Sequence, residues 1–370
     1  MITKLWGTAA NSKGGCRSAE NDCHPRFVPE RFPPLKNSLR FLLLLLLAVN
    51  GTGCGTFIAH SIVRSPNRYP DWFAPAAPVT LAFNPLLLTN FTKQYVEIET
   101  PPAKLMYRVI EPADYRFKVN STNWLEDGKP QYLFKFQAEM PAPTNAWSVH
   151  PRGTVILLHG YGVAQFSMLP WALVLAEDGW RCVLVDLRGH GKSTGKQIYF
   201  GTQETKDIGA LLGELDQAHK LTEPVSLIGE SFGAALALRC EAVDPRIQAV
   251  VAIAPYGNLS NAVLNIRREY ASWVPEFVIK AGLAKLPEVL DVPPDELDTT
   301  TILKRHPVSA LFIAGGQDTI TPAAEVSRLK SLASPASKFL QVPDGTHEAL
   351  PYFFDELEAP VKDWLSTRPK

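Results

Sequence analysis

The serine at position 231 stands between glycines, in Gly229-Glu230-Ser231-Phe232-Gly233. A hydroxyl set in such a turn can serve as a nucleophile, provided a nearby base takes its proton. The pattern alone is weak, since glycine usage of about 7% brings it by chance into roughly one chain in ten of this length. Context sharpens it: Val225–Ile228 reads as a buried strand, and Ala234 to Val243 as an apolar helix. A strand-to-helix turn there lifts the hydroxyl to a helix N-terminus, where backbone N–H groups can hold an oxyanion. A second stretch, His159-Gly160-Tyr161-Gly162, follows the apolar run Val155–Leu158. It reads as a plain glycine turn with a structural histidine, or as a loop whose Tyr161 amide joins that of Phe232 in an oxyanion hole. On the second reading His159 packs and hydrogen-bonds, and is not the base.

Two further stretches supply an acid and a base. Asp318 lies in Gly315-Gly316-Gln317-Asp318-Thr319-Ile320-Thr321-Pro322, just beyond the strand-like Ala310–Ile313. A carboxylate at a strand's carboxyl end can reach toward a histidine. Its other possible role, capping the helix that opens at Pro322, falls more naturally to Thr321, with proline at the first helical position. His347 lies in Pro343-Asp344-Gly345-Thr346-His347-Glu348, between the last strand and the terminal helix. Alone, a loop histidine is usually solvated surface. After Ser231 and Asp318 it stands where the third member of a Ser…Asp…His set belongs.

Positioning these groups requires a particular alternation of elements. Short apolar runs at Thr154–Leu158, Cys182–Asp186, Val225–Ile228, Ala249–Ala254, Ala310–Ile313 and Phe339–Val342 read as strands. Helical patterns separate them, near 166–178, 203–219, 231–243, 322–332 and 352–366. Fully apolar strands alternating with helices predict an α/β fold, with a mainly parallel sheet covered on both faces. Leading antiparallel strands are expected at 95–99, 104–110 and 132–136, the last after the turn Asp127-Gly128. From Tyr256 to about His306 the pattern is helical without a strand, which predicts a cap over the sheet's carboxyl edge. Its Trp273, Phe277, Leu283, Leu286 and Leu290 either roof an acyl pocket or pack the cap onto the core.

Together with Asp186-Leu187-Arg188-Gly189-His190-Gly191-Lys192-Ser193, which is similar to a DxRGxGxS loop, these motifs make residues from about 95 to 367 resemble the α/β-hydrolase superfamily, in its esterase/lipase and serine-aminopeptidase-like branch. The resemblance implies an eight-stranded sheet with a short helical cap. It also implies a triad of Ser231, Asp318 and His347, an oxyanion hole at Tyr161 and Phe232, and an elbow formed by Gly229 and Gly233. The activity implied is hydrolysis of a small carboxylic ester with an apolar acyl group through an acyl-enzyme, with no metal or organic cofactor needed. A peptidase, thioesterase or acyltransferase of the same fold stays open, as does a non-catalytic binding protein. Gly191-Lys192-Ser193 mimics the end of a phosphate-binding loop, but the glycine required five places earlier is Asp186.

The chain has 370 residues, 46% of them hydrophobic and 20% charged, which is enough to bury a large core. Thirty-seven basic residues balance thirty-seven acidic ones, which argues against a nucleic-acid partner. Five cysteines without a CxxC pair make neither a disulfide scaffold nor a zinc site, and Cys182 and Cys240 read as inert core thiols. At the amino terminus, residues 1–35 read as a disordered leader or a mis-assigned start. Residues 36–54 carry the apolar run Phe41–Val49, well short of the roughly 20 residues of a spanning helix. Basic residues before the run and small ones after it, ending in Cys54, resemble a lipoprotein signal with Cys54 as the lipid-bearing residue; a signal anchor and a cleaved signal are the alternatives. Each exports the remaining chain, the first two leaving it attached to a membrane. Residues 55–90, with Pro66, Pro70, Pro75, Pro78 and Pro85, are expected to be a tether ahead of a catalytic domain spanning 91–370, whose cap is about 256–306.

Overall fold

Each core strand is apolar on both sides because helices cover both faces of the sheet. In β6 (Thr154–Leu158), Val155 and Leu157 point into one apolar layer while Ile156 and Leu158 point into the other. Period-two alternation of side chains would leave one row in water if either face were open. A computed structural model describes residues 53–68, 78–141 and 150–367. The leader of residues 1–35 and the apolar run Phe41–Val49 lie outside the described residues.

The strands preceding β6 are β1 (Val79–Ala82), β2 (Gln94–Ile98), β3 (Ala103–Ile110), β4 (Lys118–Glu126) and β5 (Lys129–Gln137). Those following it are β7 (Arg181–Val185), β8 (Val225–Glu230), β9 (Ile247–Ile253), β10 (Ala310–Gly315) and β11 (Lys338–Val342). Eight of them form the main sheet in the order β11-β10-β9-β8-β6-β7-β3-β2. Pairing is parallel from β11 through β7, and antiparallel where β3 meets β7 and β2 meets β3. The expected eight-stranded, mainly parallel sheet is therefore present. The chain leaves β6 to one side for β7 and returns to β6's other side for β8. That reversal opens a crevice beyond the carboxyl ends of β6 and β8, where α/β sheets bind their ligands.

The helices preceding the cap are α1 (Gly53–Ile62), α2 (Leu169–Glu177), α3 (Glu204–Gln217) and α4 (Phe232–Val243). The cap between β9 and β10 holds α5 (Leu259–Tyr270), α6 (Glu276–Leu283), α7 (Leu286–Leu290) and α8 (Thr299–Arg305), followed by α9 (Ala323–Leu332) and α10 (Phe354–Thr367). Leu211 of α3, Leu236 of α4 and Val326 of α9 join one apolar layer. Trp171 of α2 and Trp364 of α10 join the other.

Two features correct the sequence expectation. β5 is antiparallel to β4 across the Asp127-Gly128 turn, as expected of a leading strand, but the two pair with β1 in a separate three-stranded sheet rather than with the main one. Tyr132, Phe134 and Phe136 alternate inward along β5 and pack on Tyr352, Phe353 and Phe354, which gives this sheet its own reason to form. The described residues 55–68 are not a free tether either. Helix α1 docks against α6 so closely that a Cβ on Gly55 would lie 2.9 Å from the Ala281 carbonyl oxygen. Ala59 and Val63 are buried there, and the buried Ser65 hydroxyl donates to the Gly189 carbonyl at 2.6 Å. Gly55, Ile58, Ala59 and Ile62 recur at helical spacing and present one packing face.

Candidate active site

Ser231 sits between the end of β8 and the start of α4, with φ of 50° and ψ of −109°. A non-glycine residue in that region is strained and is held there by its surroundings. Here the surroundings are backbone. A Cβ on Gly229 would lie 2.5 Å from the Ala234 nitrogen, and one on Gly233 would lie 2.7 Å from the His159 carbonyl oxygen. Only glycine lets β6, β8 and α4 approach so closely. The Ser231 amide is spent on the Ile253 carbonyl at 2.8 Å, leaving the amide of Phe232, first residue of α4, as the next one at the helix N-terminus.

The side chains of the three candidate residues are joined, although they lie far apart in the chain. The Ser231 hydroxyl is 2.9 Å from His347 Nε2, and His347 Nδ1 is 2.8 Å from Asp318 Oδ2. Asp318 is buried and saturated: its Oδ1 accepts from the Ile320 and Thr321 amides at 2.8 and 2.7 Å. Its Oδ2 accepts from the Thr321 hydroxyl at 2.8 Å as well as from His347. Thr321 therefore does not cap the following helix as expected; Pro322 occupies the cap position and the hydroxyl serves Asp318. Burial alone disfavours the charge on each partner, raising Asp318 and lowering His347. Their attraction outweighs it, so Asp318 is held below the usual carboxylate range. The His347 imidazole is pushed up to about 9, with Glu348 and Glu230 adding to the effect of Asp318.

The loop after β6 lies alongside. His159 is fully buried, and its Nε2 accepts the Leu187 amide at 3.0 Å. Its proton is therefore on Nδ1, which donates to the Gly160 carbonyl at 2.8 Å. Burial lowers its proton affinity, so the ring stays neutral. Of the sequence's two readings of His159, both make it structural, and its contacts are those of a loop anchor. The Asp186–Ser193 loop is an anchor too. Asp186 accepts the Gln165 and Lys192 amides at 2.8 and 2.7 Å, while Arg188 grips the buried Asp207 with two bonds of 2.7 Å. Among the described residues no group of histidines, cysteines and carboxylates could hold a metal ion. Cys182 and Cys240 are free and buried, and burial pushes both thiols up.

A cavity of about 140 Å³ opens beside Ser231 and His347. Its apolar walls come from Val79 and Leu81 of β1, Phe166, Ile266 and Tyr270 of α5, and Tyr352. Of the two readings of the cap residues, packing onto the core holds for three of them and none lines the cavity. Trp273 and Phe277 are 59% and 62% exposed, while Leu283, Leu286 and Leu290 are buried in the core. Helix α1 packs on α6 at Ala281 and Gly282. Neither β1's part in the wall nor the pairing of Tyr270 with Glu348 beside His347 carries a local sequence signal. Glu230 is also a wall residue and is buried. Its Oε1 accepts the Gly160 amide at 3.0 Å and the Ser167 hydroxyl at 2.8 Å.

Residues 149–300 match the family model described as "Serine aminopeptidase, S33", a span that includes Ser231 and ends before Asp318 and His347. The uncharacterized protein YqkD of Bacillus subtilis is 29% identical over 85 residues, covering 23% of this chain and 28% of that one. The chain thus matches less than a third of that relative's length. In three dimensions the fold is similar to an esterase of Pyrococcus furiosus, with a TM-score of 0.55 and 21% identity over 79% of this chain and 97% of the esterase. It is also similar to DcsB, solved with a substrate analogue, with a TM-score of 0.51 and 16% identity over 75% of this chain and all of that one. The fold is that of the α/β-hydrolases.

Proposed function

We propose that this α/β-hydrolase-fold chain is a serine hydrolase that cleaves small carboxylic esters with apolar acyl groups. The observation that carries the reading is the continuous hydrogen-bond chain Ser231–His347–Asp318 opening on an apolar cavity. In the proposed cycle His347 takes the Ser231 proton as the hydroxyl oxygen attacks the ester carbonyl. Asp318 fixes the tautomer and stabilises the imidazolium that forms. The amides of Phe232 and Tyr161 hold the negative oxygen of the tetrahedral intermediate. His347 then returns its proton to the departing alcohol, leaving an acyl group on Ser231. Water, deprotonated by His347, releases the acid and restores the serine.

The test is a panel of chromogenic esters of increasing acyl length, with labelling of the full chain by a fluorophosphonate and mapping of the labelled peptide. Label at Ser231, and Ser231→Ala turnover lower by roughly 10⁶, are expected. Label on another serine sinks the assignment. Preferred cleavage of aminoacyl amides over every ester moves the substrate class to peptides.

The chain is further proposed to be exported and held at a membrane through lipid on Cys54, a reading supported by the basic, apolar and small-residue order of residues 36–54. No helix among the described residues is long and apolar enough to cross a membrane. Expression in a bacterial host with labelled palmitate checks this: Cys54→Ser should lose the label. A wild-type chain without label, whose Cys54→Ser variant still fractionates with membrane, gives the role to the apolar run itself.

A further inference from the structure

Gly160 precedes the residue proposed to supply one oxyanion amide, and both of its peptide groups are pinned. Its N–H donates to Glu230 Oε1 at 3.0 Å, and its carbonyl accepts from His159 Nδ1 at 2.8 Å. The carbonyl of Gly160 and the N–H of Tyr161 belong to one trans peptide plane, so they point in opposite directions. Fixing the carbonyl therefore fixes the direction of the Tyr161 N–H. His159 is itself held by the Leu187 amide, and Glu230 by the Ser167 hydroxyl. A side chain on Gly160 would meet the Glu230 carboxylate at 3.4 Å, so the loop lies directly against it.

Glu230 is an unusual choice for this task. It is a buried carboxylate with no lysine or arginine among its hydrogen-bond partners, and burial raises its pKa. An acid kept there at a desolvation cost, next to the nucleophile, calls for a role at the site. It also ties together the two halves of the oxyanion hole, because Glu230 is the residue before Ser231 on the elbow that carries the Phe232 amide. We propose that Glu230 is a positioning residue: it locks the Gly160–Tyr161 turn to the nucleophile elbow, so that the amides of Tyr161 and Phe232 are held in register for the oxyanion. His159 is the second pin of the same turn. This inference rests on the serine-hydrolase reading.

The experiment compares wild type with Glu230→Ala and Glu230→Gln on the best chromogenic ester, together with binding of a trifluoromethyl ketone that adds to Ser231 as a tetrahedral adduct. Loss of one oxyanion donor costs about 10²–10³ in turnover, and Glu230→Ala should approach that loss. Because the hole acts on the transition state, KM should stay within about threefold while affinity for the ketone falls in step with kcat. Glu230→Gln keeps an acceptor for the Gly160 amide and should stay within about tenfold of wild type. If Glu230→Ala does not fold, Glu230→Asp replaces it. One methylene shorter, the aspartate cannot reach Gly160, and its kcat should fall below that of the glutamine variant. Wild-type kcat in Glu230→Ala, a loss confined to KM, or an aspartate variant at least as active as the glutamine one overturns the proposal. A wild type that cleaves no ester and takes no label at Ser231 overturns the serine-hydrolase reading and this one with it.

Discussion

Replacing Asp318 by asparagine changes one atom, and the hydrogen bonds around it dictate the result. The Oδ1 position faces two backbone donors, the amides of Ile320 and Thr321 at 2.8 and 2.7 Å. An NH2 group there would meet two N–H groups head-on, so the asparagine oxygen must take that side. Its NH2 then occupies the Oδ2 position, 2.8 Å from His347 Nδ1. Thr321 can adapt, since its hydroxyl can turn to the Ala254 carbonyl at 3.2 Å and accept from the amide. His347 cannot: facing a donor, Nδ1 must become the acceptor, so the ring proton moves to Nε2. That nitrogen then points a hydrogen at the Ser231 hydroxyl and can no longer accept its proton. The same substitution in serine-protease triads leaves the geometry intact and lowers kcat by about 10⁴. Here that loss corresponds to about 5 kcal/mol of barrier. The assay is steady-state hydrolysis of a chromogenic ester by Asp318→Asn, with thermal unfolding to show that the fold is kept. An asparagine variant retaining a tenth or more of wild-type kcat refutes the tautomer argument and transfers the acid's role elsewhere.

Gly233→Ala should cost about 3 kcal/mol or more by urea unfolding, because its Cβ would lie 2.7 Å from the His159 carbonyl oxygen with no flexible side chain to yield; wild-type stability would mean the elbow can relax. The pH profile of kcat/KM should rise with pH through a midpoint above 6.5 and toward 9, since His347 must be neutral to act as base and Asp318 raises its pKa. A midpoint at or below 6.5 would contradict the ion pair. Asp207→Ala strands the buried Arg188 guanidinium and should cost about 3–5 kcal/mol by the same urea titration, while leaving the activity of the folded fraction near wild type. A loss below about 1 kcal/mol would show that the guanidinium finds solvent or another acceptor.

The Asp186–Ser193 loop shows how a motif can carry a family likeness without carrying chemistry. The carboxylate of Asp186 serves two backbone amides, and the Ser193 hydroxyl bridges the Asp186 carbonyl and the Met106 amide at 2.5 and 2.8 Å. A Cβ on Gly191 would run into the Asp186 carboxylate, which accounts for glycine there without any phosphate. The loop stands beside the His159–Gly162 turn and holds it through Leu187, whose amide donates to His159. Its chemistry is mechanical.

The parallel sheet, the turn bearing Ser231, and the order of serine, acid and histidine were legible in the chain because they are local or periodic. A run such as Val155–Leu158 is apolar at every position only if both faces are covered, and the glycines flanking Ser231 form a local pattern, although Gly233 answers to the distant backbone of Leu158 and His159. What could not be read was decided by pairing over long separations. The proline content of residues 55–90 suggested a tether, yet α1 found its partner in α6 more than two hundred residues later. Leu283, Leu286 and Leu290 lie in the same apolar core as Ala59 and Val63, Trp273 and Phe277 stay in solvent, and the cavity takes its walls from β1 and Tyr270 instead. An amphipathic helix shows in sequence that it must bury a face, but not against what. Glu230 was visible beside Ser231 in the sequence. Its contact with Gly160 is made only because β6 and β8 are neighbours, which brings the Gly160 amide 3.0 Å from its carboxylate.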